Sequence, residues 1–168
     1  KMSKKQVMNN NEVAIVGGAG FVGSRLTARF RKGNIFSNKY DIDLSNHLDE
    51  SIYLDVEDVD SLDQLAGVST IINLAAVHRD DVRPLSRYDD VNVQGALNVC
   101  DAARKHGINR IIFTSSVAIY GFAPADTAES GEPNYFNDYG RTKYLAEQVY
   151  KKWQAEDPVN RTLVVVRP

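Results

Sequence analysis

From Glu12 onward, short apolar runs rich in β-branched residues alternate with longer amphipathic segments, and this alternation limits the folds open to the chain more than any single motif does. Such a pattern predicts βαβ units around a parallel sheet. Glu12–Gly17 reads as the first strand. Phe21–Lys32 reads as its helix, with Phe21, Val22, Leu26 and Phe30 recurring at about helical spacing and Arg25, Arg29 and Arg31 lying off that stripe. A second strand is expected to end at Ile42 or Asp43, a third is the short Ile52–Val56, and Val59–Leu65 reads as a brief helix before the strand Thr70–Leu74. A helical stretch follows from about Pro84 to His106, closed by Gly107, which suits the left-handed conformation past a helix end. Arg110–Ser115 is a fifth strand, 121–137 a loop, Asp138–Glu156 a helix and Leu163–Val166 a sixth strand. The expectation is an α/β fold, a Rossmann-type doubly wound parallel sheet in the order 3-2-1-4-5-6 with helices on both faces. Its ligand crevice should lie at the carboxyl ends of strands one and four.

Composition narrows the partners. With 20 basic and 22 acidic side chains among 168 residues and a pI near 5.9, the chain has no broad field to attract nucleic acid or anionic lipid. Any anionic ligand must be held by local geometry. The apolar runs at Ile71–Ile72 and Leu163–Val166 are far shorter than the ~20 residues of a transmembrane helix. The single cysteine, Cys100, cannot form an internal disulfide and reads as a reduced, partly buried helix residue, which predicts a reducing, cytoplasmic compartment. Residues 1–11 are polar, and Lys1 precedes Met2, so this stretch reads as a residual tag and is set aside.

Between the first strand and its helix stands Gly17-Gly18-Ala19-Gly20-Phe21-Val22-Gly23, a Gly-x-x-Gly-x-x-Gly run. Gly17 permits a tight turn, Gly20 lets a pyrophosphate approach the backbone, and Gly23 allows close helix-to-strand packing. The helix N-terminus, at Phe21 and Val22, supplies free N–H donors. A P-loop is excluded, because Ser24-Arg25 follows where Lys-Ser/Thr is required. A dinucleotide site also wants an acid at the end of strand two for the adenosine ribose, roughly 20 residues on. Asp41 and Asp43 both qualify, and Asp43 is preferred because Ile42 would close the strand. A carboxylate there disfavours a 2′-phosphate and points to NAD over NADP. Asp55 and Val56, at the end of strand three, offer a carboxylate and an apolar contact to the adenine edge.

Tyr139 and Lys143 lie four residues apart at the start of a helix and so share one face. An ammonium beside a phenol, joined by the positive charge of an oxidised nicotinamide, favours the phenolate, which can then serve as general base toward an alcohol. Ser116, just past the fifth strand, would reach the same edge and bond the reacting hydroxyl or carbonyl.

Taken with Asn73-Leu74-Ala75-Ala76, Asn92-Val93-Gln94-Gly95, Ser115–Gly121 and Arg167-Pro168, these motifs resemble the extended short-chain dehydrogenase/reductase family of NAD-dependent sugar epimerases and dehydratases. The resemblance covers nearly all of the chain from Glu12. Within the family, Ala75–Val82 and Phe113–Gly121 are similar to bacterial UDP-N-acetylglucosamine and UDP-glucose 4-epimerases. The resemblance implies Ser116, Tyr139 and Lys143 as catalytic residues, with Leu74, Ala75, Ala76 and Asn92 along the NAD cofactor. It also implies a nucleotide-sugar substrate, a homodimer built on the two long helices, and a C-terminal substrate-binding lobe. The 168 residues are therefore expected to be a cofactor lobe that turns over sugar poorly when isolated. The 4,6-dehydratase branch carries Thr-Asp-Glu where this chain has Ser116-Val117-Ala118, which favours an epimerase or a simple dehydrogenase. A non-catalytic NAD-binding module would not need the three residues together, and a methyltransferase has no use for the tyrosine–lysine pair.

Other signals carry less. His78-Arg79-Asp80 imitates a kinase catalytic loop, but Leu85 stands where its Asn is required. Arg79 or Arg83 could meet a sugar diphosphate or simply form a solvated loop. His47, His78 and His106 fall on different elements without metal-ligand spacing, so no metal is expected. Tyr144, Tyr150 and Trp153 on the last helix are expected to make packing or subunit contacts.

Overall fold

The computed structural model describes residues 11–45 and 51–168. Most of the stretch read as a tag, and His47, lie outside the described residues. Six parallel strands form one sheet in the order β3-β2-β1-β4-β5-β6, as the alternation predicts. They are β1 (Val13–Val16), β2 (Ser37–Asp41), β3 (Ser51–Tyr53), β4 (Thr70–Asn73), β5 (Arg110–Thr114) and β6 (Thr162–Val166). The helices are α1 (Phe21–Lys32), the single turn α2 (Ser86–Tyr88), α3 (Gly95–His106) and α4 (Asp138–Ala155). The helix read from Pro84 to His106 is not uniform. A π segment, Asp89–Gln94, joins α2 to α3, and Gly107 closes α3 in the left-handed conformation at φ 67°.

Register explains the layers. Side chains alternate across each strand, and Ala14, Val16, Tyr40, Ile71, Ile111 and Phe113 point to one face. There they pack with Ala96, Val99, Cys100 and Ala103 of α3 and Ala146, Tyr150 and Trp153 of α4. Tyr150 and Trp153 are fully buried, so both are core residues of the chain. Cys100 is likewise 0 % exposed, and burial pushes its thiol up to about 12. Chain order runs outward from β1 in one direction and from β4 in the other, so right-handed crossovers place α1 on the opposite face, against β1 and β2. At the far edge of the sheet Val164 and Val166 are each 45 % exposed.

One expectation about α1 is corrected. Only part of its predicted apolar stripe packs: Leu26 and Phe30 are half-buried, whereas Phe21 and Val22 are 73 % and 54 % exposed while Gly23 and Thr27 are buried. The helix packs most closely at Gly23 and Thr27, and the missing side chain of Gly23 brings its first turn close to the glycine turn after β1. Phe21 and Val22 project instead toward the crevice at the sheet's carboxyl edge.

Candidate active site

The crevice is a cavity of about 630 Å³ whose walls come from the ends of all six strands and the segments that follow them. Its floor is the turn after β1. The N–H groups of Gly17 and Gly18 donate to Tyr40 O at 2.8 and 3.1 Å, capping the end of β2. Gly17 has φ +77°, and a Cβ there would stand 2.8 Å from Ala75 N, so only glycine lets this turn meet the one after β4. A Cβ on Gly23 would meet Gly18 Cα at 2.6 Å, which explains the third glycine of the motif. Gly20 caps α1 without a side-chain hydrogen bond, and the first turn carries no acid. N–H donors and the positive end of the helix dipole therefore open into the cavity with no acid of the helix itself to cap them.

The acid beside this turn is Asp41. Strand β2 ends there, earlier than expected, because Tyr40 O is taken by the glycine turn and Ile42 swings out to 65 % exposure. Asp41 Oδ2 accepts from Ala19 N at 2.8 Å and Oδ1 from Asp43 N at 2.9 Å. Asp43, the preferred candidate by sequence, is exposed, turns its carboxylate to Ser45 N at 2.9 Å, and does not line the cavity. Asp55 and Val56 do line it. Asp55 Oδ1 accepts from Glu57 N at 2.9 Å.

Leu74, Ala75 and Ala76 form the adjoining wall. Asn73 sets their path: its Oδ1 accepts from Ala75 N at 3.1 Å, and its Nδ2 donates to the buried Tyr150 hydroxyl at 2.7 Å. The family resemblance implies Asn92 along the cofactor, but the structure turns it away from the cavity. It is 5 % exposed, lies in the π segment and does not line the cavity. Its Oδ1 accepts from Val77 N at 2.8 Å, and its Nδ2 donates to Val77 O at 2.9 Å and to Thr142 Oγ1 at 3.0 Å. Asn92 thus fixes the turn after β4 against the helix that carries Tyr139 and Lys143. The wider π turn is what lets an interior helical residue reach two neighbouring segments.

Ser116, Tyr139 and Lys143 all line the cavity on its β5–α4 side. Asn137 starts α4 by accepting from Gly140 N at 2.8 Å, a side-chain cap that sets where Tyr139 emerges. Lys143 is 2 % exposed, with Nζ 4.6 Å from the Phe113 ring centroid and 6.0 Å from that of Tyr139. Burial lowers its pKa to about 8, and the charge of Glu147 one turn along α4 opposes the fall. Ser116 holds its own turn, accepting from Ala118 N at 3.2 Å.

Several lining residues carried no sequence signal. Arg87, in α2, donates to both carboxylate oxygens of Glu57 at 2.6 and 2.7 Å across 30 positions, closing the wall beside Asp55. His78 and Pro168 also reach the cavity. Arg79 and Arg83 are exposed and do not line it; Arg79 pairs with Asp81. Among the described residues there is no cluster of three or more His, Cys, Asp or Glu suited to a metal, and no helix long and apolar enough to cross a membrane.

A family model for the NAD dependent epimerase/dehydratase family matches residues 13–168. The chain belongs to that family. Within the NAD-dependent epimerase/dehydratases, one similar protein is the N-acetyl-α-D-glucosaminyl-diphospho-ditrans,octacis-undecaprenol 4-epimerase of Escherichia coli O157:H7. It is 44% identical over 165 residues, which is 95% of this chain and 48% of the relative. A UDP-glucose 4-epimerase of Rhizobium meliloti is 31% identical over 160 residues, covering 87% of this chain and 48% of its own. The chain thus spans about half the length of the curated relatives it matches. Among solved structures, a short-chain dehydrogenase/reductase superfamily protein of Agrobacterium tumefaciens with bound NAD superposes with a TM-score of 0.83 at 26% identity. That match covers 93% of this chain and 48% of the other. The UDP-glucose 4-epimerase of Brucella ovis in complex with NAD gives 0.81 at 29% identity, with 94% and 51% covered.

Proposed function

We propose that these residues form the cofactor-binding and catalytic lobe of an NAD-dependent 4-epimerase acting on a diphosphate-linked hexose. The observation that carries this reading is that Ser116, Tyr139 and Lys143 meet on one wall of the cavity into which the uncapped end of α1 opens. The chain's own features fit the cofactor. Gly17 and Gly23 leave no room for a Cβ, the α1 N–H groups suit a pyrophosphate, and Asp41 stands where an adenosine ribose would lie.

In this reading Tyr139 takes the proton of the sugar C4 hydroxyl as general base, and Ser116 donates a hydrogen bond to the same oxygen as it becomes a carbonyl. Lys143, still mostly charged at pH 7, favours the phenolate across the shared helix face. NAD, when bound, supplies the hydride acceptor and donor at C4, so that a 4-keto sugar can be reduced from either face.

The nucleotide-sugar reading rests on relatives such as the Rhizobium enzyme. The 44% identity to the undecaprenol-linked epimerase favours a second form of it, in which a lipid diphosphate carries an N-acetylated hexosamine. A homodimer through α3 and α4, and a cytoplasmic site consistent with the buried thiol of Cys100, belong to the same proposal.

Calorimetric titration of the 168-residue chain with NAD tests the cofactor half. Binding at micromolar concentration is expected, and no heat at millimolar NAD would overturn it. With a substrate-binding portion attached, Tyr139→Phe should lose ~10²–10⁴ in turnover while still binding NAD. Undiminished turnover would remove Tyr139 from its role.

A further inference from the structure

Glu147 is a fully buried acid on α4, one helical turn past Lys143, which is itself 2 % exposed. A carboxylate removed from water needs strong partners. Arg167, at the exit of β6, supplies them: its Nε donates to Oε1 at 2.8 Å and a terminal nitrogen to Oε2 at 2.7 Å. The other terminal nitrogen of Arg167 donates to the Tyr120 hydroxyl at 2.6 Å and to Glu129 O at 2.8 Å. Lys151 stands 3.5 Å from the same carboxylate. Burial opposes ionisation of Glu147, yet the Arg167 fork outweighs it, and the carboxyl titrates below its ordinary range.

An ion pair this deep is a poor device for stability alone, since apolar residues of similar volume commonly serve as well or better. Its position suggests what it does. Residues four apart on a helix share a face, so Glu147 follows Lys143 along one face of α4, close enough for its charge to be felt there without a direct ion pair. The Phe113 ring and the Tyr139 phenol lie beside Lys143, and Ser115 and Ser116 line the same cavity. None of these is a fixed negative charge.

We propose that Glu147, anchored by Arg167, is a positioning residue that keeps the Lys143 ammonium charged within the cavity wall. It touches neither substrate nor cofactor and acts through Lys143. The proposal rests on the reading of Lys143 as the cation beside the reacting phenol. It makes the Arg-Pro segment after β6 part of the electrostatics of the site as well as of the sheet.

The test is a ¹³C NMR titration of the lysine side chains in the 168-residue chain, with the Lys143 signal assigned by its loss in Lys143→Met. In Glu147→Gln the Lys143 pKa should fall by about one unit or more, because a counter-charge is removed and Arg167 is left behind. The double variant Glu147→Gln, Arg167→Gln leaves no unpaired buried charge and should show a smaller fall. Arg167→Lys should leave Lys143 nearly unchanged. In the wild-type chain the Lys143 signal should also carry a second, acid inflection as Glu147 titrates. An unchanged Lys143 titration in either folded Gln variant, or no acid inflection in the wild type, would overturn the proposal. NAD calorimetry on the wild-type chain reports separately on the cofactor reading, so the two can fail independently.

Discussion

Asn92 and Thr142, 50 positions apart, are joined by a 3.0 Å hydrogen bond that ties the π segment before α3 to the middle of the Tyr139–Lys143 turn. Through its other contacts, both to the backbone of Val77, Asn92 also holds the cavity wall after β4. Replacing Asn92 with Ala leaves buried polar groups unsatisfied on both segments. A loss of about 2 kcal/mol in unfolding free energy is expected. Chemical denaturation measures it, and NAD affinity should fall in the same variant although Asn92 does not line the cavity.

Asp41 and Asp43 separate two readings of one strand end. Asp41 accepts from Ala19 N inside the glycine turn, whereas Asp43 bonds only its own loop. Asp41→Ala should weaken NAD binding by roughly tenfold or more, as the loss of one or two charge-assisted hydrogen bonds implies. Asp43→Ala should leave binding within about twofold, as expected for a surface change away from the site. Calorimetry on the pair decides the matter, and equal effects would return Asp43 to consideration.

Lys143 makes stability depend on pH in a defined direction. Its folded pKa, about 8, lies below the ordinary 10.5, so between those values the unfolded chain holds the proton more tightly. The penalty for burying the charge is complete below about pH 8 and vanishes as pH rises through 10.5, so this residue's contribution to stability increases with pH. The difference amounts to about 3 kcal/mol across the window. Lys143→Met should therefore be more stable than wild type at pH 7, with an advantage that shrinks toward pH 10. Paired urea melts at the two pH values measure it, and a constant difference would show that Lys143 carries no such penalty.

The fold was legible because sheet order and crossover side follow from alternation and handedness, and both are local or topological rules. The glycine motif, Ser116, Tyr139 and Lys143 were legible for a related reason, since each depends on short spacings next to a strand end. What escaped was set by long-range contacts. Asp43 was preferred because Ile42 looks like a strand residue, but the capture of Tyr40 O by Gly17 and Gly18 ends β2 one residue sooner. Asn92 belongs along the cofactor only by family resemblance; a helix pattern does not show a π segment, and the fold alone reveals that its amide turns inward to Val77 and Thr142. The Phe21–Phe30 stripe misled for a similar reason. Close approach through Gly23 was read as packing, yet its corollary, that larger neighbours are pushed outward, needs the helix's actual distance from the sheet.

The seat of Ser116 lies between two bonds to the far end of the chain. The Ser115 N–H donates to Val166 O at 2.7 Å and the Val117 N–H to Pro168 O at 3.1 Å. These bonds extend the β5–β6 ladder past Thr114 and into the turn that carries Ser116. Strand β6 follows the other five strands in the sequence and occupies the sheet's edge. The glycine turn is held by the ends of β2 and β4, while the turn of Ser116 is braced by β6 and Pro168. The two sides of the cavity thus lean on different parts of the sheet: the glycine turn on its central strands, and the turn of Ser116 on its edge strand.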